Sequence, residues 1–236
     1  MSGSSRGAFA ELASHYGAAT IVAALRPYLT EQRRERIEAV LRGRLRGLEV
    51  AIERPYDPHN AAAVVRSAEA LGAWTVHVIA ASERILRAPG TTTGTHNWID
   101  TLHHRDLDGF LQVAREAGML LAGACVDATH MLDELPLDRP ICLLFGNEHA
   151  GLSAAAQAAC EVRFRIPIHG FAESYNLSVA AALSLYATSS RLRARLGADG
   201  DLDEAGLELE RARYYHRSVD ERHVRALFPA PRPRSD

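Results

Sequence analysis

From Leu48 onward the chain alternates short apolar runs with longer segments whose apolar residues recur every three or four positions. Leu48–Glu53, Trp74–Ala80, Met119–Val126, Ile141–Phe145 and Glu161–Ile168 read as strands. Met119–Val126 and Ile141–Phe145 are continuously apolar, the pattern of strands covered on both faces. Asn60–Leu71, Asp106–Ala117, Ser153–Cys160 and Asn176–Leu196 read as helices. Gly72 and Gly118 are placed to end the first two, and Ser153 to cap the third. Such alternation predicts an α/β domain with a mostly parallel sheet and helices on both faces.

The ends of the chain follow other patterns. Residues 31–46, EQRRERIEAVLRGRLR, predict a helix with Ile37, Val40, Leu41 and Leu45 as its apolar stripe. After Gly197 comes a polar hinge, ADGDLDEAGLELE, and then an amphipathic, aromatic-bearing helix, RARYYHRSVDERHVRALF. The tail PAPRPRSD has the composition of a disordered segment. The expected organisation is a helical extension over 1–47, an α/β domain over 48–196, and a helical extension with a tail over 197–236.

Composition narrows the class. With 236 residues, 47% apolar and 24% charged, the chain suits one sizeable domain with appendages. No apolar run approaches the ~20 residues of a membrane span. The opening MSGSSRGAFAELASHYG lacks the layout of a secretory leader. Three cysteines, an odd number without CxxC spacing, suggest reduced thiols in a cytoplasmic protein and no metal site. All 27 basic residues are arginine, which excludes a lysine nucleophile, a Schiff base and a P-loop lysine. The net charge of −2 does not announce nucleic acid. Arg33, Arg34, Arg36, Arg42, Arg44 and Arg46 read equally as a solvated face beside Glu31, Glu35 and Glu38 or as a phosphate-contacting arm.

Candidate chemistry gathers at strand ends, where open parallel sheets bind ligands. Three polar clusters fall there: Pro55–Asn60, Gly146–Gly151, and the stretch IPIHGFAESYNLSVAAALSLY, which opens at Ile166. Each precedes a helix whose first backbone N–H groups are free to bind. Taken singly, Asn60 reads as a helix cap, Ser174 and Asn176 as a cap and turn, and Asn147–Gly151 as a tight turn. Arg66, on an otherwise apolar helix, reads as snorkelling or as paired with Glu69. Three such clusters in one domain are harder to dismiss. The chain lacks GxGxxG after a strand, GxxxxGK[ST], GxSxG and HExxH. Its eleven histidines show no common ligand face.

Together these segments resemble the SpoU/TrmH family of RNA ribose 2'-O-methyltransferases, in the SPOUT superfamily. PHNAAAVVRSAEALG carries Asn60 and Arg66, LLFGNEHAGLS carries Glu148, and the third stretch carries Ser174 and Asn176. The segment TTTGTHNWI, ending at Ile99, also resembles the family's. The basic N-terminal helix and separate C-terminal helix look most like the tRNA branch, whose members modify a D-loop guanosine. The resemblance implies a C-terminal trefoil knot, S-adenosylmethionine as cofactor, and a homodimer formed through the helix over 176–187. It implies a cofactor site lined by Gly123, Ala124, Phe145, Gly146, Ile166, Ile168 and Tyr175. Relatives of the tRNA branch carry a basic residue at the position of Asp57, Lys at His149 and Gln at Glu173. Here two of these positions gain a carboxylate, which points to fewer phosphate contacts or a different RNA target.

Methyl transfer from a sulfonium needs alignment and removal of the hydroxyl proton. The resemblance implies Arg66 as the central residue, with Asn60 holding Arg66 or the ribose. Glu148 would orient Asn60 or Arg66, and Ser174 and Asn176 would close the site. Free guanidinium has a pKa above ~12, so proton loss to Arg66 or to water stays open at this point. Arg33, Arg34, Arg42 and Arg66 are the candidate RNA contacts. The rival readings are the same chemistry on ribosomal RNA, a non-catalytic RNA-binding protein of this fold, and a small-molecule α/β enzyme.

Overall fold

The computed structural model describes residues 5–83 and 97–229. Most of TTTGTHNWI and of the PAPRPRSD tail lies outside them. Helices α1 (Ser5–Tyr16), α2 (Ala18–Leu25) and α3 (Glu31–Arg42) come first. They are followed by β1 (Leu48–Glu53), α4 (Pro58–Ala70), β2 (Thr75–Ile79), β3 (Asp100–His104) and α5 (Leu107–Glu116). Next come β4 (Leu120–Ala124), β5 (His130–Met131), β6 (Ile141–Phe145), α6 (Ala154–Ala159) and β7 (Val162–Arg165). The chain continues with α7 (Leu177–Leu196), α8 (Glu204–Ser218) and α9 (Glu221–Leu227).

The chain divides into two compact units. Arg44–Asp201 forms one; Met1–Gly43 and Leu202–Asp236 together form the other. The two extensions expected from the sequence therefore share one helical unit. Within it α8 packs on α1, α2 and α3. The aromatic residues mark its buried side: Tyr214 and Tyr215 are enclosed, and Arg213 bonds the buried Glu210 carboxylate. The expected hinge is shorter than ADGDLDEAGLELE, because Asp203 caps α8 by accepting from the Gly206 N–H. The single expected helix over 211–228 is broken at Val219 and restarts where Asp220 caps α9.

The larger unit is a seven-stranded, all-parallel sheet in the order β3-β2-β1-β6-β4-β7-β5. Side-chain alternation divides the core. Val50, Ile52, Leu143 and Phe145 face one layer with Val64, Val65, Leu177, Ala181 and Leu185. Ala51, Cys142 and Leu144 face the other with Phe110, Ala114, Leu152 and Ala156. Helices α4 and α7 thus cover one face, and α5 and α6 the opposite one. At ~25 cal/mol per Å² of buried apolar surface, this doubly covered sheet supplies the main stabilisation.

Helix ends match local chemistry closely. Asp57, not Asn60, caps α4 by accepting from the His59 N–H at 2.8 Å, and Pro58 sits in the first turn. Gly72, Gly118 and Gly197 all take positive φ just past helix ends, as a left-handed cap requires. The Arg-rich helix stops at Arg42. Arg44 is buried in the larger unit, ion-paired with Glu69 at 2.8 Å and donating to the Ala73 and Trp98 carbonyls. It is a structural residue, and Leu45 lies in the sheet unit bridged to Ala73.

Candidate active site

Strand adjacency builds the site. β1 and β6 lie side by side with Ile52 opposite Phe145, so the loops leaving them start at the same level. Glu148, from the β6 loop, accepts from the Tyr56 N–H at 2.8 Å and the Asp57 N–H at 3.3 Å. It also accepts from Asn60 Nδ2 at 2.9 Å. Asn60 Oδ1 in turn accepts from Asn176 Nδ2 at 3.2 Å. Asn176 caps α7, its Oδ1 accepting from the Ser178 N–H at 2.9 Å and Ser178 Oγ at 2.7 Å. The three polar clusters thus meet in one relay, Glu148–Asn60–Asn176. Packing of α4 against α7 brings the two asparagines together.

Burial alone would push the Glu148 carboxyl up; hydrogen bonds from Asn60 and from the backbone outweigh it and hold it below the usual range. Glu148 is therefore an anion at neutral pH and can only accept. That orients the Asn60 amide and leaves its oxygen for Asn176.

The β6 loop is braced from several sides. Asn147 and Gly151 exchange backbone bonds at 3.0 and 2.8 Å. Asn147 Oδ1 accepts from the His149 and Ala150 N–H groups, and its Nδ2 donates to the Arg54 carbonyl at 2.8 Å. Gly146 has no space for a side chain: a Cβ there would stand 2.0 Å from the Gly151 carbonyl carbon. Below the loop, buried Glu53 accepts from the Ser153 N–H at 2.8 Å and Oγ at 2.6 Å. The Asn147–Gly151 turn was legible in the sequence, whereas Glu53 escaped the sequence reading. The available signal was a carboxylate closing an apolar strand.

Beside the relay lies a cavity of about 550 Å³, within the range of small-molecule sites. Ala124, Phe145, Gly146, Ile166, Ile168 and Tyr175 line it, with Glu148 and Ser174 also on its wall. Gly123 does not line it; a Cβ there would come within 2.7 Å of Cys160 Sγ, so this glycine serves close packing. Tyr175 Oη donates to the Pro167 carbonyl at 3.0 Å and folds the third loop onto itself. Arg66 stands six residues beyond Asn60, exposed on α4, about 9 Å further along the helix axis.

The other candidate RNA contacts lie in the terminal unit. Arg34 is half-buried and donates to the Leu29 carbonyl at 3.0 Å; Arg33 reaches Ser218 Oγ at 3.5 Å. Arg42 is exposed at the end of α3. Among the described residues no group of three or more His, Cys, Asp or Glu is placed to hold a metal ion, and no helix is long and apolar enough to cross a membrane.

A cavity with a polar relay at its edge, beyond the carboxyl ends of parallel strands, is the arrangement of a small-molecule binding site in an α/β protein. A profile of the SpoU rRNA Methylase family matches residues 47–186, and the chain belongs to that family. It is 30% identical over 199 residues to a tRNA (guanosine(18)-2'-O)-methyltransferase of Borreliella burgdorferi, covering 84% of this chain and 91% of that one. A TrmH/SpoU tRNA modifying enzyme of A. aeolicus superposes with a TM-score of 0.71 at 25% identity, over 81% of this chain and 98% of that one. The SpoU methyltransferase AviRb of Streptomyces viridochromogenes, solved in complex with the cofactor AdoMet, superposes with a TM-score of 0.54 at 28% identity. That match covers 64% of this chain and 61% of AviRb.

Proposed function

We propose that this protein methylates the 2'-hydroxyl of a guanosine ribose in tRNA, using S-adenosylmethionine, and acts in the cytoplasm. The observation that carries the reading is the Glu148–Asn60–Asn176 relay at the edge of the 550 Å³ cavity. The cavity fits the cofactor: Phe145, Ile166 and Ile168 supply apolar enclosure, and Gly146 holds the loop backbone close. When bound, the cofactor supplies an activated methyl group on a sulfonium.

The residues then have positioning work. Glu148 stays anionic and fixes Asn60, so that the Asn60 amide and Asn176 present a set edge to the ribose. Arg66 binds the nucleotide's phosphate while polarising the 2'-oxygen, whose proton passes to water as the methyl group is transferred. Ser174, on the cavity wall, closes the third loop against the substrate. Within the terminal helical unit, Arg33, Arg34 and Arg42 are further candidate phosphate contacts.

The same reading includes a homodimer. Val179, Leu183 and Tyr186 recur at helical spacing on α7 and are exposed, Tyr186 by 64%. A second copy of this helix suits that stripe. The family's trefoil knot belongs here too, with the 146–151 and 166–175 loops sharing one cavity.

Incubation with labelled cofactor and total RNA, followed by mapping of the methylated ribose, tests the substrate. Label in ribosomal RNA alone would refute the tRNA assignment. Arg66→Ala is expected to keep cofactor binding by calorimetry and to lose most methyl transfer. Turnover within a few-fold of wild type would remove Arg66 from this role.

A further inference from the structure

Tyr56 is an anomaly beside the relay. It is a large aromatic residue, 71% exposed, on a segment with little freedom to move. Buried Pro55 precedes it, and the capping Asp57 and Pro58 follow. Its backbone N–H is held by Glu148 at 2.8 Å. Arg54 turns the chain into this segment in the left-handed region, at φ 49°, which is uncommon for a side-chain-bearing residue. The ring meets the edge of His149 with centroids 5.0 Å apart and planes at 73°. His149 also lines the cavity. A rigid aromatic ring is therefore presented to solvent four residues before Asn60, on backbone that Glu148 holds.

The surroundings decide what would cover it. Arg54 and His59 are exposed within three residues of Tyr56, His149 lies against the ring and Asp57 is half-exposed beside it, so the patch is aromatic and polar rather than apolar. A protein partner would leave these polar groups to be desolvated. A nucleotide suits both features: its base stacks by its π-face on the ring, and its polar edges and phosphate meet the Arg54 guanidinium and the imidazoles.

We infer that Tyr56, buttressed by His149, is a stacking platform for an unpaired nucleobase at or beside the methylated nucleotide. This rests on the RNA methyltransferase reading above and adds a specificity-determining residue to it. Stacking tolerates any aromatic ring and does not need the phenolic hydroxyl.

The test compares wild type with Tyr56→Ala, Tyr56→Phe and Tyr56→Trp. Binding to an unmodified tRNA transcript is measured by filter retention, S-adenosylmethionine binding by calorimetry, and assembly mass by light scattering. Tyr56→Ala is expected to bind the transcript roughly 5- to 150-fold more weakly and to raise the KM for RNA in step. Its cofactor affinity and assembly mass should be unchanged, and Tyr56→Phe and Tyr56→Trp should restore RNA binding. Wild-type RNA affinity in Tyr56→Ala, with wild-type enzyme active, overturns this inference and leaves the function standing. Tyr56→Phe as weak as Tyr56→Ala assigns the hydroxyl and overturns stacking. A halved assembly mass in Tyr56→Ala gives the ring to a second copy and does the same. Absence of methyl transfer by wild type on any RNA overturns both readings.

Discussion

Gly146→Ala is the most exacting test of how the cavity is built. The added Cβ would lie 2.0 Å from the Gly151 carbonyl carbon, 2.1 Å from the Leu152 nitrogen and 2.3 Å from the Gly151 oxygen. Ordinary contact begins near 3.4 Å, so these atoms must retreat by more than 1 Å. All three belong to the main chain, and no rotamer change relieves them. The retreat breaks the paired Asn147–Gly151 backbone bonds, worth about 1 kcal/mol each. Overpacking adds about 1–3 kcal/mol, giving roughly 3–5 kcal/mol in all. For a chain of this size that corresponds to a fall in Tm of roughly 6–20 °C. Gly170→Ala is the matched control, because Gly170 also borders the cavity and a Cβ there meets nothing within 4 Å. It should stay within about 0.5 kcal/mol of wild type. Thermal melting read by circular dichroism measures both variants, and calorimetry measures cofactor binding by Gly146→Ala. A Gly146→Ala protein with wild-type Tm and wild-type cofactor affinity would refute the close approach on which the cavity depends.

Other consequences follow from the same geometry. The Glu148 carboxyl titrates below its ordinary range, so its contribution to stability is complete above about 4.5 and is lost as pH falls through the lower folded value. Glu148→Gln should flatten the acid limb of a stability-against-pH curve measured by urea unfolding; an unchanged limb would show that the donors do not hold the charge. His104 is pushed down to about 4 by burial and by neighbouring His77 and His103. The unfolded chain therefore binds the extra proton first, and stability should fall as pH drops from about 6.5 toward about 4. His104→Asn should reduce that slope in the same assay, with His216, lowered by its own burial, keeping the remainder. Leu183→Arg, on the exposed stripe of α7, is expected to halve the mass seen by light scattering while leaving the Tm within a few degrees. A dimer that survives the change would place the interface elsewhere.

Much of this protein is legible without coordinates. Apolar runs mark Ile141–Phe145 and, with Glu49 and Glu53 between and after its apolar residues, Leu48–Glu53 to the residue, because a strand covered on both faces admits a polar position only where a partner meets it, as His77 meets Glu49 and Ser153 meets Glu53. The 3.6-residue period, with Ser153, Gly118 and Gly197 at helix ends, marks α5, α6 and α7 to within a residue or two, since capping chemistry is local. The three motifs and their order carried the family. Tertiary structure decided what depends on distant pairing. Only the placement of β6 between β1 and β4 brings Glu148 to Asn60, 88 residues away in sequence. Only the return of α7 across that face sets Asn176 against Asn60. The same long-range packing buries Arg44, takes Gly123 out of the cavity wall and gathers both termini into one helical unit. Periodicity and caps act over a few residues, whereas strand order and helix packing are set by which buried surfaces fit across the whole chain.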